Sequence, residues 1–102
     1  MTDDVLIPAD AESQVDLAEL LAASGLAEAE VLELVEFGVL QTKGSVSGWS
    51  FHARVVHQAR RAATLRDTFG LNTPGMALAL TYLERIEALE QRLRELQCLL
   101  PR

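Results

Sequence analysis

Three sets of side chains in this sequence are of types that do chemistry. Glu33 and Glu36 stand one helical turn apart, a spacing that could serve general acid–base work if a cleft held them. His52 and His57 are five residues apart, and Cys98 is the single thiol. None of these completes a reactive set. A metal site needs more ligands, and neither histidine has a cysteine or a clustered acid beside it in sequence. His52 is expected to cap a helix, and His57 to lie on that helix's surface. A reactive thiol needs an electropositive pocket, and Cys98 is expected to be a partly buried helix residue. With no glycine-rich phosphate loop and no nucleophile motif, the expectation is no enzyme, no cofactor and no metal. Binding is the chemistry left to explain.

The carboxylates fit binding better than catalysis. Ala27 to Leu40, AEAEVLELVEFGVL, holds four acids and no base. Val31, Leu34 and Val35 recur at helical spacing and mark an inner face. Glu28, Glu33 and Glu36 then fall on the outer face around Leu32, with Glu30 at its margin. Most charge runs are solvated faces. Leu32 argues for contact, because a large aliphatic residue among exposed acids has no core to serve. Glu28, Leu32, Glu33 and Glu36 are the candidate partner-binding residues.

Charge distribution narrows the partner. The 102 residues carry a net charge of −6, unevenly spread. Met1 to Leu21 holds six acids and no base, whereas His52 to Gly70 holds Arg54, Arg60, Arg61 and Arg66 against Asp67. Nucleic-acid affinity comes largely from Lys and Arg, so nucleic acid is an unlikely partner for the acidic helix and a basic protein surface a better one. Arg60 and Arg61 could meet phosphates or a partner, but solvated or ion-paired arginines are the simpler reading. No apolar run approaches the roughly 18 residues of a membrane span. The acidic N-terminus lacks the pattern of a signal peptide, and an unpaired Cys98 suits a reducing compartment. The expectation is a cytoplasmic protein with no membrane association.

The elements that must position these residues follow from local signals. Residues 1–14 read as an acidic flexible arm, or as an edge strand over Val5, Leu6 and Ile7. Asp16 is a plausible N-cap for a helix striped by Leu17, Leu20 and Leu21, and Gly25 fits the left-handed position after it. The acidic helix follows almost at once, from about Glu28 to Phe37, with Gly38 as its stop. Two short helices across a tight Gly-containing turn make a helix-turn-helix. Val39 and Leu40 read as extended. Lys43, Gly44, Ser45, Ser47 and Gly48 read as turn, and Trp49 and Phe51 alternate with Ser50 and His52. This is a small β-hairpin, or wing, pinned to the core by Trp49 and Phe51. A third helix is expected from Ala53 to Phe69, ending at Gly70, so the domain spans 15–71.

Asn72, Thr73 and Pro74 start the last helix of a C-terminal segment, 72–102. Met76, Leu80 and Leu83 are expected to pack on the domain. Tyr82, Ile86, Leu89, Leu93, Leu96 and Leu100 recur at steps of four and three among charged residues, which is heptad spacing. They are the candidate homodimer interface, under two-fold symmetry. The alternative is that the helix folds back on its own domain. The fold class is mainly α: a winged helix-turn-helix with a long dimerisation helix.

This order of elements resembles the MerR group over roughly Val15 to Leu99. Phe37-Gly38-Val39-Leu40 stands at that group's step into the wing, and Gly48-Trp49-Ser50-Phe51 at the strand ending it. Where the group presents arginines and tyrosines to DNA, this chain has Leu32, Glu33, Leu34 and Glu36. Like charges near contact cost about 1 kcal/mol per pair across water, so several outweigh a modest base contact. A closer resemblance, over Leu17 to Leu96, is to the CbpM family of chaperone modulators. It rests on Leu34-Val35-Glu36-Phe37-Gly38-Val39-Leu40, Trp49-x-Phe51, Arg60-Arg61-Ala62, Gly70-Leu71-Asn72, Gly75 and Ala77-Leu78-Ala79-Leu80. The resemblance implies a MerR-like fold, and binding to and inhibition of the J-domain of a DnaJ-like, CbpA-type co-chaperone. The departures are the long acidic arm and Ala27, which cannot cap the second helix and is expected to let it fray. The rivals are a MerR-like DNA-binding transcription regulator and a small-molecule sensing or scaffold protein on the same fold.

Overall fold

The computed structural model describes residues 13–44 and 48–100. Most of the expected arm, with its alternative strand over Val5, Leu6 and Ile7, lies outside the described residues, as do 45–47 and 101–102. The elements run β1 (Gln14–Asp16), α1 (Leu17–Ser24), α2 (Glu28–Glu36), β2 (Ser50–His52), α3 (Ala53–Phe69) and α4 (Thr73–Leu99).

Local chemistry sets these boundaries. Asp16 Oδ1 accepts the Glu19 N–H at 2.8 Å, and Glu19 Oε1 accepts the Asp16 N–H at 2.9 Å. This reciprocal pair satisfies two donors that the start of α1 would leave open, and such caps contribute about 1 kcal/mol. Gly25 ends α1 at φ +84°, in the left-handed region. At the start of α2, Ala27 has no side-chain oxygen and makes no side-chain cap. Glu30 Oε1 reaches back and accepts the Ala27 N–H at 2.9 Å. This is the reach-back half of a capping box, made without an oxygen on the N-cap side chain. For α4, Asn72 Oδ1 accepts the Gly75 N–H at 2.9 Å, and Pro74 stands in the first turn.

The sheet differs from the expected hairpin in two respects. Lys43 and Ser50 do close the wing, exchanging N–H···O bonds of 3.0 and 3.1 Å. The regular partner of β2, however, is β1, antiparallel with Gln14 opposite His52 and Val15 opposite Phe51. Val39 and Leu40 are not a strand. The Val39 N–H returns to Leu34 O at 3.0 Å, wrapping the chain under α2 and burying Leu40.

One core joins these elements. Leu20, Val31, Leu34, Leu40, Phe51, Val55, Met76 and Leu80 are fully buried, each stabilising the fold by about 1.5–3 kcal/mol. Ala59 and Ala62 keep α3 slim where it is buried in that cluster. Trp49 packs edge-on against Phe51, ring centroids 5.9 Å apart, and is half-buried. Met76, Ala77 and Leu80 bury the start of α4, with Leu83 half-buried beyond them.

The rest of α4 has no cover among the described residues. Every residue from Arg85 to Leu100 is exposed. Tyr82, Ile86, Leu89, Leu93, Leu96 and Leu100 expose 57, 49, 55, 55, 57 and 66% of their surface. The helix therefore does not fold back on its own domain. Cys98 is exposed too. The partly buried position expected for it is corrected, because none of the described residues outside α4 packs on this half of the helix.

Candidate partner-binding face

The site is built on α2. Val31 and Leu34 are drawn fully into the core, which fixes the rotation of the helix and turns Glu28, Glu33 and Glu36 to the exposed side. Glu28, Leu32 and Glu36 are spaced i, i+4, i+8 and form one stripe about 12 Å long, with Glu33 beside it. Among the described residues these three glutamates have no ion pair. Leu32 is half-buried rather than fully exposed, yet it is not part of the core cluster. The four candidates thus lie together as an acidic strip around an aliphatic edge.

Glu30, at the margin of that strip, has a different role. Its Oε1 takes the Arg66 Nη1 at 2.6 Å while also holding the Ala27 N–H. Arg66 bonds Asp67 through Nε at 2.9 Å and the Gly25 carbonyl through Nη2 at 3.3 Å. The Asp67 hydrogen bond and the nearby Glu30 charge hold the Arg66 guanidinium above its ordinary pKa. Three parts of the chain meet there: the α1–α2 turn, the start of α2 and the end of α3.

Arg60 and Arg61 of α3 are also engaged. Arg60 Nε donates to the Ala23 carbonyl at 3.1 Å near the end of α1. Arg61 pairs with Glu87 at 3.0 Å, and Gln58 with Glu84 at 2.6 Å, which tie α3 to α4. Arg61 is ion-paired, and Arg60 is exposed with its Nε on a backbone carbonyl, in line with the simpler reading. His52 occupies the N-cap position of α3, but its side chain does not cap. It is drawn instead across the sheet, where the Gln14 amide lies 3.3 Å from its Nδ1. His57 is exposed on α3.

Two surface clefts were not legible from spacing. One, of about 650 Å³, lies between the starts of α1 and α2 and the wing, lined by Asp16, Leu17, Ala18, Glu28 and Trp49. It continues the acidic strip at its Glu28 end. The other, of about 520 Å³, lies between Phe37 and the exposed Leu78 and Tyr82 of α4. Both bring together residues far apart in the chain. Among the described residues, no group of three or more His, Cys, Asp or Glu could hold a metal, and no helix is long and apolar enough to cross a membrane.

Helix-turn-helix, wing and long C-terminal helix together define a MerR-type winged helix whose second helix is acidic where a DNA reader would be basic. The family pattern described as MerR HTH family regulatory protein matches residues 15–98. Chaperone modulatory protein CbpM from Coxiella burnetii is 36% identical over 86 residues, covering 83% of this chain and 81% of that protein. The CbpM proteins of Salmonella arizonae and Salmonella newport are 33% and 35% identical over 81 and 80 residues, covering 78% of this chain and 80% and 75% of theirs. The chain belongs to the CbpM family, within the MerR-type fold.

Proposed function

We propose that this protein is a chaperone modulator that binds the J-domain of a DnaJ-like, CbpA-type co-chaperone in the cytoplasm and inhibits it by occupying its surface. The observation that carries this reading is the strip Glu28, Leu32, Glu33 and Glu36, exposed at its carboxylates and without internal counter-charges among the described residues. Its family membership supports it. J-domains recruit their DnaK-type partner through a basic helical face, which an acidic strip with an aliphatic edge complements. Inhibition is then steric, with no catalytic step.

The protein works as a homodimer through Tyr82, Ile86, Leu89, Leu93, Leu96 and Leu100. Six half-exposed apolar side chains along one helix are a larger patch than a soluble monomer ordinarily leaves uncovered. The exposed stripe begins at Leu78 beside the Phe37 cleft and ends at Leu99 and Leu100. An antiparallel pair centred on Leu89 lays the tip of each helix over the cleft of its mate, which a parallel pair leaves open.

The DNA-binding alternative draws on one observation. Lys43, His52 and Arg54 line a cleft of about 220 Å³ on the wing. The test is co-elution of purified J-domain with this protein in gel filtration, alongside a duplex-DNA titration over a salt series. The reading expects a stable complex with the J-domain. Tight DNA binding that weakens steeply with salt, without J-domain association, overturns it.

A further inference from the structure

We propose that the cleft beside Glu28 seats one arginine or lysine side chain of the J-domain's basic helix, with Trp49 as its aromatic floor. The inference rests on the J-domain reading and extends the same face from α2 to the wing. Trp49 is held by its edge contact with the fully buried Phe51, at 83° between ring planes. Trp49, which is half-buried, lines the cleft together with Leu17, Ala18, Asp16 and Glu28. Such a site has three attractions for a long cationic side chain. Its aliphatic stem lies along Leu17 and Ala18, its charge meets the ring face, and two carboxylates neutralise it.

The electrostatic balance favours a cation. The starts of α1 and α2 open toward this cleft, and each contributes roughly half a positive charge. Asp16 and Glu28 carry two negative charges and Glu19 lies one turn away, so the cleft stays negative. Asp16 spends Oδ1 on the Glu19 N–H, and Glu28 makes no ion pair among the described residues. The cleft joins the α2 strip at Glu28, so one basic helix laid along α2 reaches it. A cation over an indole with a carboxylate beside it changes affinity by about tenfold.

Trp49 is the only tryptophan of the chain, so its own fluorescence reads the site. The experiment adds a purified J-domain free of tryptophan to the full-length protein. It follows acrylamide quenching of Trp49 and, in parallel, the heat of binding. Glu28→Gln and Trp49→Phe are compared with Glu33→Lys combined with Glu36→Lys, with far-ultraviolet circular dichroism to establish folding. The expected result is a protected Trp49 in the complex, and about tenfold weaker binding in Glu28→Gln and Trp49→Phe. If the J-domain binds and the double reversal abolishes binding while Trp49 stays equally quenched, the cleft is not part of the interface, and the J-domain reading survives. If the wild-type protein does not bind the J-domain, that reading fails and the inference with it. Protection of Trp49 that grows with protein concentration alone assigns the cleft to a second copy. Protection lost on deleting residues 1–12 assigns it to the chain's own N-terminus. Either outcome overturns the proposal.

Discussion

Glu30 is expected to matter for stability and not for partner affinity, although it sits on the same helix as Glu28, Glu33 and Glu36. Glu30→Ala removes two interactions at once. The cap on the Ala27 N–H contributes about 1 kcal/mol. The ion pair with Arg66 adds less, because the Arg66 guanidinium lies at the surface, where solvent screens it. Alanine's better helix propensity returns a few tenths of a kcal/mol. The net is a loss of about 1 kcal/mol, or a midpoint lowered by roughly 5 °C in a domain of this size. Glu30→Gln keeps an oxygen for the Ala27 N–H and should lose less than half as much. Arg66→Ala removes the pair and the Gly25 carbonyl contact but leaves the cap. A double-mutant cycle between the two positions should return a favourable coupling that shrinks as salt is added. The assay is thermal and urea unfolding followed by circular dichroism, at one fixed concentration because a dimer's midpoint depends on it. A Glu30→Ala protein within 0.5 kcal/mol of wild type would refute the reasoning. So would a large loss of J-domain affinity in a Glu30→Gln protein that remains folded.

Further expectations follow from the same structure. Leu89→Asp combined with Leu93→Asp should give a monomer mass by light scattering with the helical domain still folded; an unaltered dimer would place the interface elsewhere. A spin label on Cys98, the only cysteine, should report labels about 30 Å apart in an antiparallel pair centred on Leu89, and nearer 10–15 Å in a parallel one. Gly25→Ala should cost about 1 kcal/mol in urea unfolding. A Cβ there meets no atom within 4 Å, so the penalty comes only from holding φ at +84°; an unchanged stability would mean that the turn relaxes freely.

The helices were legible because their signals are local. Asp16 and Asn72 cap, Gly25 and Gly70 turn left-handed, and Val31 and Leu34 mark the buried side of α2 within one turn. The acidic strip was legible for the same reason, since helical spacing alone puts Glu28, Leu32 and Glu36 in line. Strand β1 was not. It has three residues with one half-buried side chain, Val15, and it exists because β2, 36 residues further on, offers it an edge. The role of Glu30 was hidden likewise, because Arg66 lies 36 residues away and the missing cap at Ala27 suggested only weakness. The Trp49 cleft draws on the starts of two helices and the wing, and no periodicity joins these. Exposure of Cys98 was not legible because a heptad stripe implies cover, and no described residue of this chain supplies it.

The central claim is that the carboxylates of α2 meet a basic protein surface. It is tested most directly by calorimetric titration of the J-domain into wild-type protein and into the Glu33→Lys, Glu36→Lys variant. Reversing two charges in contact turns about 1 kcal/mol of attraction each into a similar repulsion. Affinity should fall by several hundredfold, with folding intact. J-domain binding unchanged in that variant would contradict the account and remove α2 from the interface.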